Sequence, residues 1–484
     1  MSAHVAAVDL GATSGRVIVG EVGPGELRMH TVARFPNTPV ELPDGLHWNI
    51  VELYRSILDG LRDAGRETQR RSGAQLQSIG IDSWAVDYAL LRRGSMLGVP
   101  FHYRDERGAR AAELAHKRIP FAELYARNGL QYLPFNTVYQ YVAEVLDETR
   151  IAQADRALLI PDLLGYWLTG PEVAERTNAS TTGLLSLAGE WDFDLAQQLG
   201  IPTEILPPLV DPGTEIGTLR ESVGEATGFG TRVPVLAVGS HDTASAVVGI
   251  PMTDPDVAFI SCGTWGLVGV ELEAPVVTEA SRAANFTNER GVDGRTRFLH
   301  NVMGLWVLSE TIRGWERADG ESIDLGELLA AAADVTAPQP VFDVNDPVFA
   351  PPGDMHARIT EWLAGRGLAV PSGRAELVRS ILESLAAAFA DAVHRAAELS
   401  GKRVGAIHLV GGGSLNTLLC QLTADRAVLT VVAGPVEATA LGNLVVQARA
   451  LGAVRGDLEA LRALIAQTVD LRRFTPRVSS NENY

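Results

Sequence analysis

Lysine is nearly absent from this chain. Lys117 and Lys402 are the two among 41 basic side chains in 484 residues, so arginine carries almost all the positive charge. Gly401-Lys402 is followed by Arg403 rather than Ser or Thr, which excludes a phosphate loop of the GK[ST] type. No full GxGxxG follows a strand-like run, so the dinucleotide fingerprint is missing as well. Cysteine is equally scarce. Cys262 and Cys420 stand in no CxxC or paired spacing, which excludes a disulfide scaffold and a cysteine-ligated zinc site. Neither HxxxH nor HExxH occurs, which argues against a histidine metal site. No apolar run approaches the length of a membrane span. The first apolar run is short, ends at Asp9 and has no basic lead, so no signal peptide is expected. There is no basic block either: a net charge of −18 with a pI near 5.0 argues against a nucleic-acid partner. These absences predict a soluble cytoplasmic protein. They leave ATP open as a ligand, because a local field and a bound Mg²⁺ can outweigh global acidity.

What is present begins at residue 5. Val5-Ala6-Ala7-Val8-Asp9 is a buried strand, Leu10-Gly11-Ala12-Thr13-Ser14-Gly15 a turn of small residues, and Arg16-Val17-Ile18-Val19 a second strand. The turn offers two hydroxyls and several amide N–H groups, which suit phosphate oxygens. Asp9 ends the first strand, where a carboxylate can face Mg²⁺ through water. A plain hairpin with a polar turn fits the same residues.

Extended stretches at 5–8, 16–22 and 27–34 precede a helix that starts after Asn49, with Glu52 in the capping-box position. Ile50, Leu53, Ile57 and Leu61 give that helix one apolar face. Strands follow at 77–82 and 87–91, and the order β-β-β-α-β differs from the strict βαβ alternation of a doubly wound fold. Residues 257–270 repeat the opening pattern of strand, Gly/hydroxyl turn and strand, which predicts a duplicated domain. A long helix at 374–399, a strand at 406–410, a glycine triplet opening a helix at 414–425, a strand at 428–432 and a helix at 437–450 complete the second half. Residues 343–357, rich in Pro, Asp and Gly, read as a surface loop. The domains divide at 1–245 and 246–484, and 46% hydrophobic residues suffice for two or three cores.

Gly411, Gly412 and Gly413 sit where a strand meets a helix, as a tight turn or as a surface that lets a nucleotide approach. In Ser240-His241-Asp242-Thr243, Asp242 is either a helix cap or a carboxylate that accepts a proton during phosphoryl transfer. A Ser/His/Asp hydrolase is excluded because the three are contiguous and no nucleophile elbow is present. Trp84, in Asp82-Ser83-Trp84-Ala85-Val86-Asp87, either stacks on a sugar or fills the core. Arg16 serves transition-state charge or a structural salt bridge.

Together these residues resemble the FGGY family of carbohydrate kinases. The pieces run from Asp9–Arg16 through Gly80–Asp87, 129–137, 168–170, 177–182, Ser240–Ala246, Ser261–Trp265, Asn301–Trp306 and the glycine triplet to 434–439. The resemblance implies two actin-like (ribonuclease H-like) α/β ATPase domains with an interdomain active-site cleft. It implies a sugar-binding and phosphate-loop domain at 1–245 and a nucleotide-binding domain at 246–484. It casts Ala12, Thr13, Ser14, Gly15, Arg16, Thr264, Ser309, Gly411, Gly412 and Gly413 as ATP contacts and Asp9 as the Mg²⁺ anchor. Asp242 becomes the proton acceptor, and Trp84, Ala85, His241, Asp242, Thr243 and Asn301 the ketose site. Ala85 stands where the family pattern has Gly, and Ser309 where it has a longer amide. The contexts of Trp84, Phe135-Asn136-Thr137 and His241-Asp242-Thr243 point to the branch that phosphorylates L-rhamnulose at its 1-hydroxyl with MgATP. L-Fuculose, L-ribulose or D-xylulose kinases are the alternatives, followed by an actin-like ATPase or a non-catalytic sugar sensor.

Overall fold

The computed structural model describes residues 2–147 and 150–477. The chain forms two α/β units. The first gathers Met1–Thr253, Glu271–Phe298 and Ala438–Thr468, and the second Asp254–Val270, Leu299–Glu437 and Val469–Tyr484.

In the first unit, strand Ala3–Leu10 runs antiparallel to Ser14–Gly23, which pairs in turn with Glu26–Pro36. On its other side it runs parallel to Ser78–Ser83, followed by Pro234–Leu236 and the antiparallel edge strand Glu215–Thr218. In the second unit, strand Val257–Cys262 runs antiparallel to Gly266–Leu272 and parallel to Ala406–Val410. Thr430–Ala433 and the antiparallel edge strand Arg472–Phe474 follow. The two sheets share one pattern of hairpin, parallel pair and antiparallel edge. The repeat read from two glycine turns is therefore a repeat of topology.

Helix Ile50–Ser72 buries Ile50, Leu53, Ile57 and Leu61, as its spacing requires. The expected capping box does not form: Asn49 has ψ 64° and makes no side-chain cap bond. Glu52 instead accepts a hydrogen bond from Arg55 at 2.5 Å. A short hairpin, Val40–Leu42 with Gly45–His47, precedes this helix, its strands too short to show a period.

Helix Asp242–Gly249 packs on helix Ala438–Ala450 through small residues, both helices lying in the first unit. A Cβ on Gly442 would fall 1.8 Å from the Ser245 carbonyl oxygen, and one on Gly249 would fall 2.0 Å from that of Ala438. Next to Gly442, Asn443 Nδ2 donates to Asp82 Oδ2 at 2.6 Å. Gln447 Nε2 donates to Asn443 Oδ1 at 2.6 Å and to the Ala6 carbonyl at 3.0 Å. These buried amides tie the helix to the two central strands and occupy the space above Gly80, where a Cβ would meet Asn443 Oδ1 at 2.5 Å.

In the second unit, helix Arg374–Ser400 buries Leu377, Ile381, Leu385 and Phe389. Two expectations change there. Gly412–Leu415 forms a 3₁₀ turn, and the helix proper, Thr417–Ala427, starts only after Asn416, whose side chain accepts from the Leu419 N–H at 3.0 Å. Residues 343–357 are not a plain surface loop, because Val344, Phe349 and Met355 are fully buried. The Pro and Asp residues shape turns that deliver these side chains inward, and the Trp306 indole N–H donates to the Phe349 carbonyl at 3.0 Å. Among the described residues, no helix is long and apolar enough to cross a membrane.

Candidate active site

In each unit the singled-out turns follow the carboxyl ends of sheet strands, where open α/β sheets place ligands. In the first unit, Gly11–Arg16 turns tightly, with the Gly11 N–H donating to the Ser14 carbonyl at 2.8 Å. Asn37 braces the turn through its N–H to the Thr13 carbonyl at 3.0 Å and its Nδ2 to the Gly11 carbonyl at 2.9 Å. Thr13 and Ser14 are exposed at its tip. Arg16 stands opposite Asp9 across the hairpin, and its Nε lies 3.1 Å from Asp9 Oδ2. The salt bridge is therefore made.

Asp82 is Asp9's neighbour in register on the parallel strand and is fully buried. Burial pushes the Asp82 carboxyl well above the usual range, and the neighbouring Asp9 adds to this against the Asn443 hydrogen bond. From Asp82 the chain enters a strained turn in which Val86 has φ +67°, a value rare for a β-branched residue. Thr137 Oγ1 holds this turn by donating to the Val86 carbonyl at 2.7 Å. Trp84 is buried, its ring centroid 4.0 Å from that of Trp48. Both indoles donate to Asp87 Oδ2, at 3.1 Å from Trp84 and 2.6 Å from Trp48. Burial lifts the Asp87 carboxyl to about 6, against four hydrogen-bond donors that stabilise its ionised form. Ala85, next in the chain, is half-buried.

The Ser83 N–H donates to the Ser240 carbonyl at 2.9 Å, so this turn and Ser240–Thr243 lie side by side. Helix Asp242–Gly249 begins at Asp242, with His241 as its N-cap residue. Asp242 Oδ1 accepts from Thr243 Oγ1 at 3.1 Å and faces His241 Nε2 at 3.4 Å. Its side chain is 31% exposed against 7% for His241, so this acid reaches outward from a buried polar array. Burial raises the Asp242 carboxyl, while His241 and Arg297 pull it back.

The sequence reading missed the supports of this array. Glu175 caps the short helix Arg176–Ala179 and accepts from Thr177 N (2.8 Å), Ser240 N (3.0 Å) and Ser240 Oγ (2.8 Å). Arg297, fully buried, donates through NH1 to His241 Nδ1 at 3.1 Å and lies 3.0 Å from Glu289 Oε2. Asn443 and Gln447 were missed too, although two amides four apart in a largely apolar helix were a signal that could have found them. Glu289 and Arg297 sit in a polar stretch that reads as loop, and nothing in it signals burial.

In the second unit, Thr264 lies in the turn between Val257–Cys262 and Gly266–Leu272. Its carbonyl accepts from the Trp306 N–H at 3.1 Å, and the Gly263 carbonyl from Leu305 at 3.0 Å, which draws the turn onto the start of helix Trp306–Asp319. Asn301 lies near the end of strand Thr296–Val302, and Ser309 is exposed one turn into the helix. The glycine triplet completes this cluster against Cys262. A Cβ on Gly411, at φ +79°, would meet the Cys262 carbonyl at 2.9 Å, and one on Gly413 would meet Cys262 Sγ at 2.3 Å. Gly412 faces open space, so packing requires two of the three glycines and leaves the middle one unexplained.

Comparison with known proteins places this architecture. Residues 4–249 match the N-terminal domain, and residues 258–451 the C-terminal domain, of the FGGY family of carbohydrate kinases. A rhamnulokinase from Bacteroides thetaiotaomicron is 39% identical over 480 residues, covering 99% of this chain and 96% of its own. One from Pectobacterium carotovorum is 41% identical over 483 residues, covering 99% and 94%. The fold resembles a xylulose kinase from Lactobacillus acidophilus (TM-score 0.79, 19% identity, 98% and 94% covered). It also resembles a Plasmodium falciparum glycerol kinase solved with ADP (TM-score 0.77, 16% identity, 98% and 94% covered). With both domain profiles matched in order and relatives near 40% identity along the whole length, the chain belongs to the FGGY family of carbohydrate kinases and is a phosphotransferase.

Proposed function

We propose that this kinase transfers the γ-phosphoryl group of ATP to the 1-hydroxyl of L-rhamnulose, giving ADP and L-rhamnulose 1-phosphate. The full-length likeness to proteins named rhamnulokinase supports the substrate. The observation that carries the chemistry is Asp242, a carboxylate reaching outward at a helix start from otherwise buried polar groups. Asp242 takes the proton of the sugar hydroxyl as the P–O bond forms, a role worth on the order of 10²–10⁴ in rate. His241 and Thr243 orient that carboxylate and, with Trp84, Ala85 and Asn301, are assigned to the ketose. Ala12–Arg16 in the first unit and Thr264, Ser309 and Gly411, Gly412 and Gly413 in the second are assigned to ATP. Turn N–H groups there replace the missing P-loop lysine.

The donor set near Asp9 fits Mg²⁺. Asp9 and Asp82 share a register on adjacent strands, and Asp82 Oδ1 is buried without a hydrogen-bond partner among the described residues. No group of three His, Cys, Asp or Glu side chains able to hold a metal occurs among the described residues, so water and phosphate oxygens would complete the shell. Asp9 would anchor the ion through water, and the ion would neutralise charge on the transferring phosphoryl group. Supply of ATP places the reaction in the cytoplasm.

The test is ADP release across L-rhamnulose, L-fuculose, L-ribulose, D-xylulose and glycerol, run on wild type and Asp242→Asn. L-Rhamnulose should give the highest kcat/KM, and the variant should bind both ligands yet lose turnover. Preference for another sugar overturns the substrate, and near-normal turnover by the variant removes Asp242 from its role.

A further inference from the structure

The buried ion pair behind His241 touches neither Asp242 nor any residue assigned to the nucleotide. We propose that Arg297 and Glu289 are positioning residues for phosphoryl transfer, fixing the tautomer and tilt of His241 so that its Nε2–H is presented to the Asp242 carboxylate. The inference rests on Asp242 being the proton acceptor.

The geometry starts from what a guanidinium can do. Arginine has donors and no acceptor, so the 3.1 Å contact of Arg297 NH1 with His241 Nδ1 makes Nδ1 the acceptor. A neutral ring held this way carries its proton on Nε2, the nitrogen 3.4 Å from Asp242 Oδ1. Arg297 cannot swing away: its Nε and NH2 both donate to the Arg290 carbonyl, at 3.1 and 2.9 Å. Glu289 supplies the balancing charge, its Oε2 lying 3.0 Å from Arg297 NH1 and 3.3 Å from His241 Nδ1. Burial pushes the Glu289 carboxyl up, but the Arg297 guanidinium beside it outweighs this and holds it below its ordinary range. From the chain side, the His241 N–H points at Thr177 Oγ1 at 3.4 Å, and Glu175 fastens Ser240 just before it. The ring is thus gripped at Nδ1 and along its backbone, and only Nε2 faces the acid. Arg297 is fully buried and Glu289 is 6% exposed, so neither serves the surface.

The pair divides orientation from charge, and two substitutions separate them. Arg297→Lys keeps the cation but cannot hold Nδ1 and the Arg290 carbonyl together. Its kcat should fall on the order of 10²-fold, the cost of a misplaced reacting group, with KM for ATP within about twofold. Glu289→Gln keeps the shape and the Arg297 bonds but removes one negative charge. Asp242 also faces Asp82, His241 and Arg297, and Glu175 and Glu271 lie in the field of Arg297. Against that fixed background, losing Glu289 favours ionised Asp242. The acid limb of the kcat profile should move down by about one pH unit with the plateau within about threefold.

A merely structural pair would lower thermal stability and leave both signatures unmoved. A Glu289→Gln limb within about 0.2 of wild type, or Arg297→Lys turnover within about twofold, overturns the inference. If Arg297→Lys does not fold, the Glu289→Gln profile decides alone. Failure of the base assignment looks different: Asp242→Asn would then retain turnover, whatever the two variants do.

Discussion

Replacing Gly442 by Ala tests whether packing outside the site sets the position of Asp242. The added Cβ would lie 1.8 Å from the Ser245 carbonyl oxygen, whereas ordinary contact begins near 3.4 Å, so the two helices must part by about 1.6 Å. The obstruction is backbone, which no rotamer change relieves. Overpacking usually costs about 1–3 kcal/mol, and a backbone clash belongs at the upper end, about 3 kcal/mol. Ser245 sits one turn after Asp242 on the short helix Asp242–Gly249, so displacing this helix carries the carboxylate with it. A shift of about 1 Å at a reacting group costs on the order of 10²-fold in rate. Urea unfolding followed by circular dichroism measures the first effect, and ketose-dependent ADP release the second. Stability within about 0.5 kcal/mol of wild type would refute the close-packing argument. A full stability loss with unchanged kcat would show that helix Ala438–Ala450 yields instead, and would sever the link between this contact and the base.

Gly412→Ala should leave stability unchanged and raise KM for ATP by about tenfold, because its Cβ meets nothing within 4 Å. Gly413→Ala should lose about 1–3 kcal/mol in the same unfolding assay, since its Cβ would sit 2.3 Å from Cys262 Sγ; equal stabilities for the two variants would refute this distinction. Asp87 gives a pH prediction. Its carboxyl is raised in the fold to about 6, so its contribution to stability is fully present below about 4 and is lost as pH rises through about 6. The stability difference between wild type and Asp87→Asn should therefore change by on the order of 2–3 kcal/mol between pH 4 and 7, and a constant difference would refute it.

Elements with strong local signals were legible from sequence. The long helix at 374–399 and the strand at 406–410 match Arg374–Ser400 and Ala406–Val410, because apolar period and flanking glycines agree there. The Asn49 cap failed because capping depends on one backbone angle that side-chain type does not set. Residues 343–357 misled because composition reports turn chemistry while burial is decided by what packs above, here Trp306 over Phe349. Within the candidate site, the residues at strand ends were visible because small and acidic residues interrupt apolar runs. Their supports were not: Arg297 and Glu289 are paired with each other and with His241, and the Arg297–His241 contact spans 56 residues that no local window contains.

The first unit draws strands and helices from three separated stretches, the last ending at Thr468. During synthesis, Asp82, Ala6 and Ser78 emerge from the ribosome long before Asn443 and Gln447, the amides that satisfy them. At about 5–20 residues per second, some 360 residues separate Asp82 from Asn443, so that strand end waits on the order of 20–70 s for its partner. The nascent first unit therefore remains open, with the Asp82 carboxylate and a glycine-lined sheet face uncovered, until Asn443 and Gln447 have emerged. A fragment ending at residue 245 would present the same uncovered face permanently, and its insolubility would say nothing against the fold of the whole.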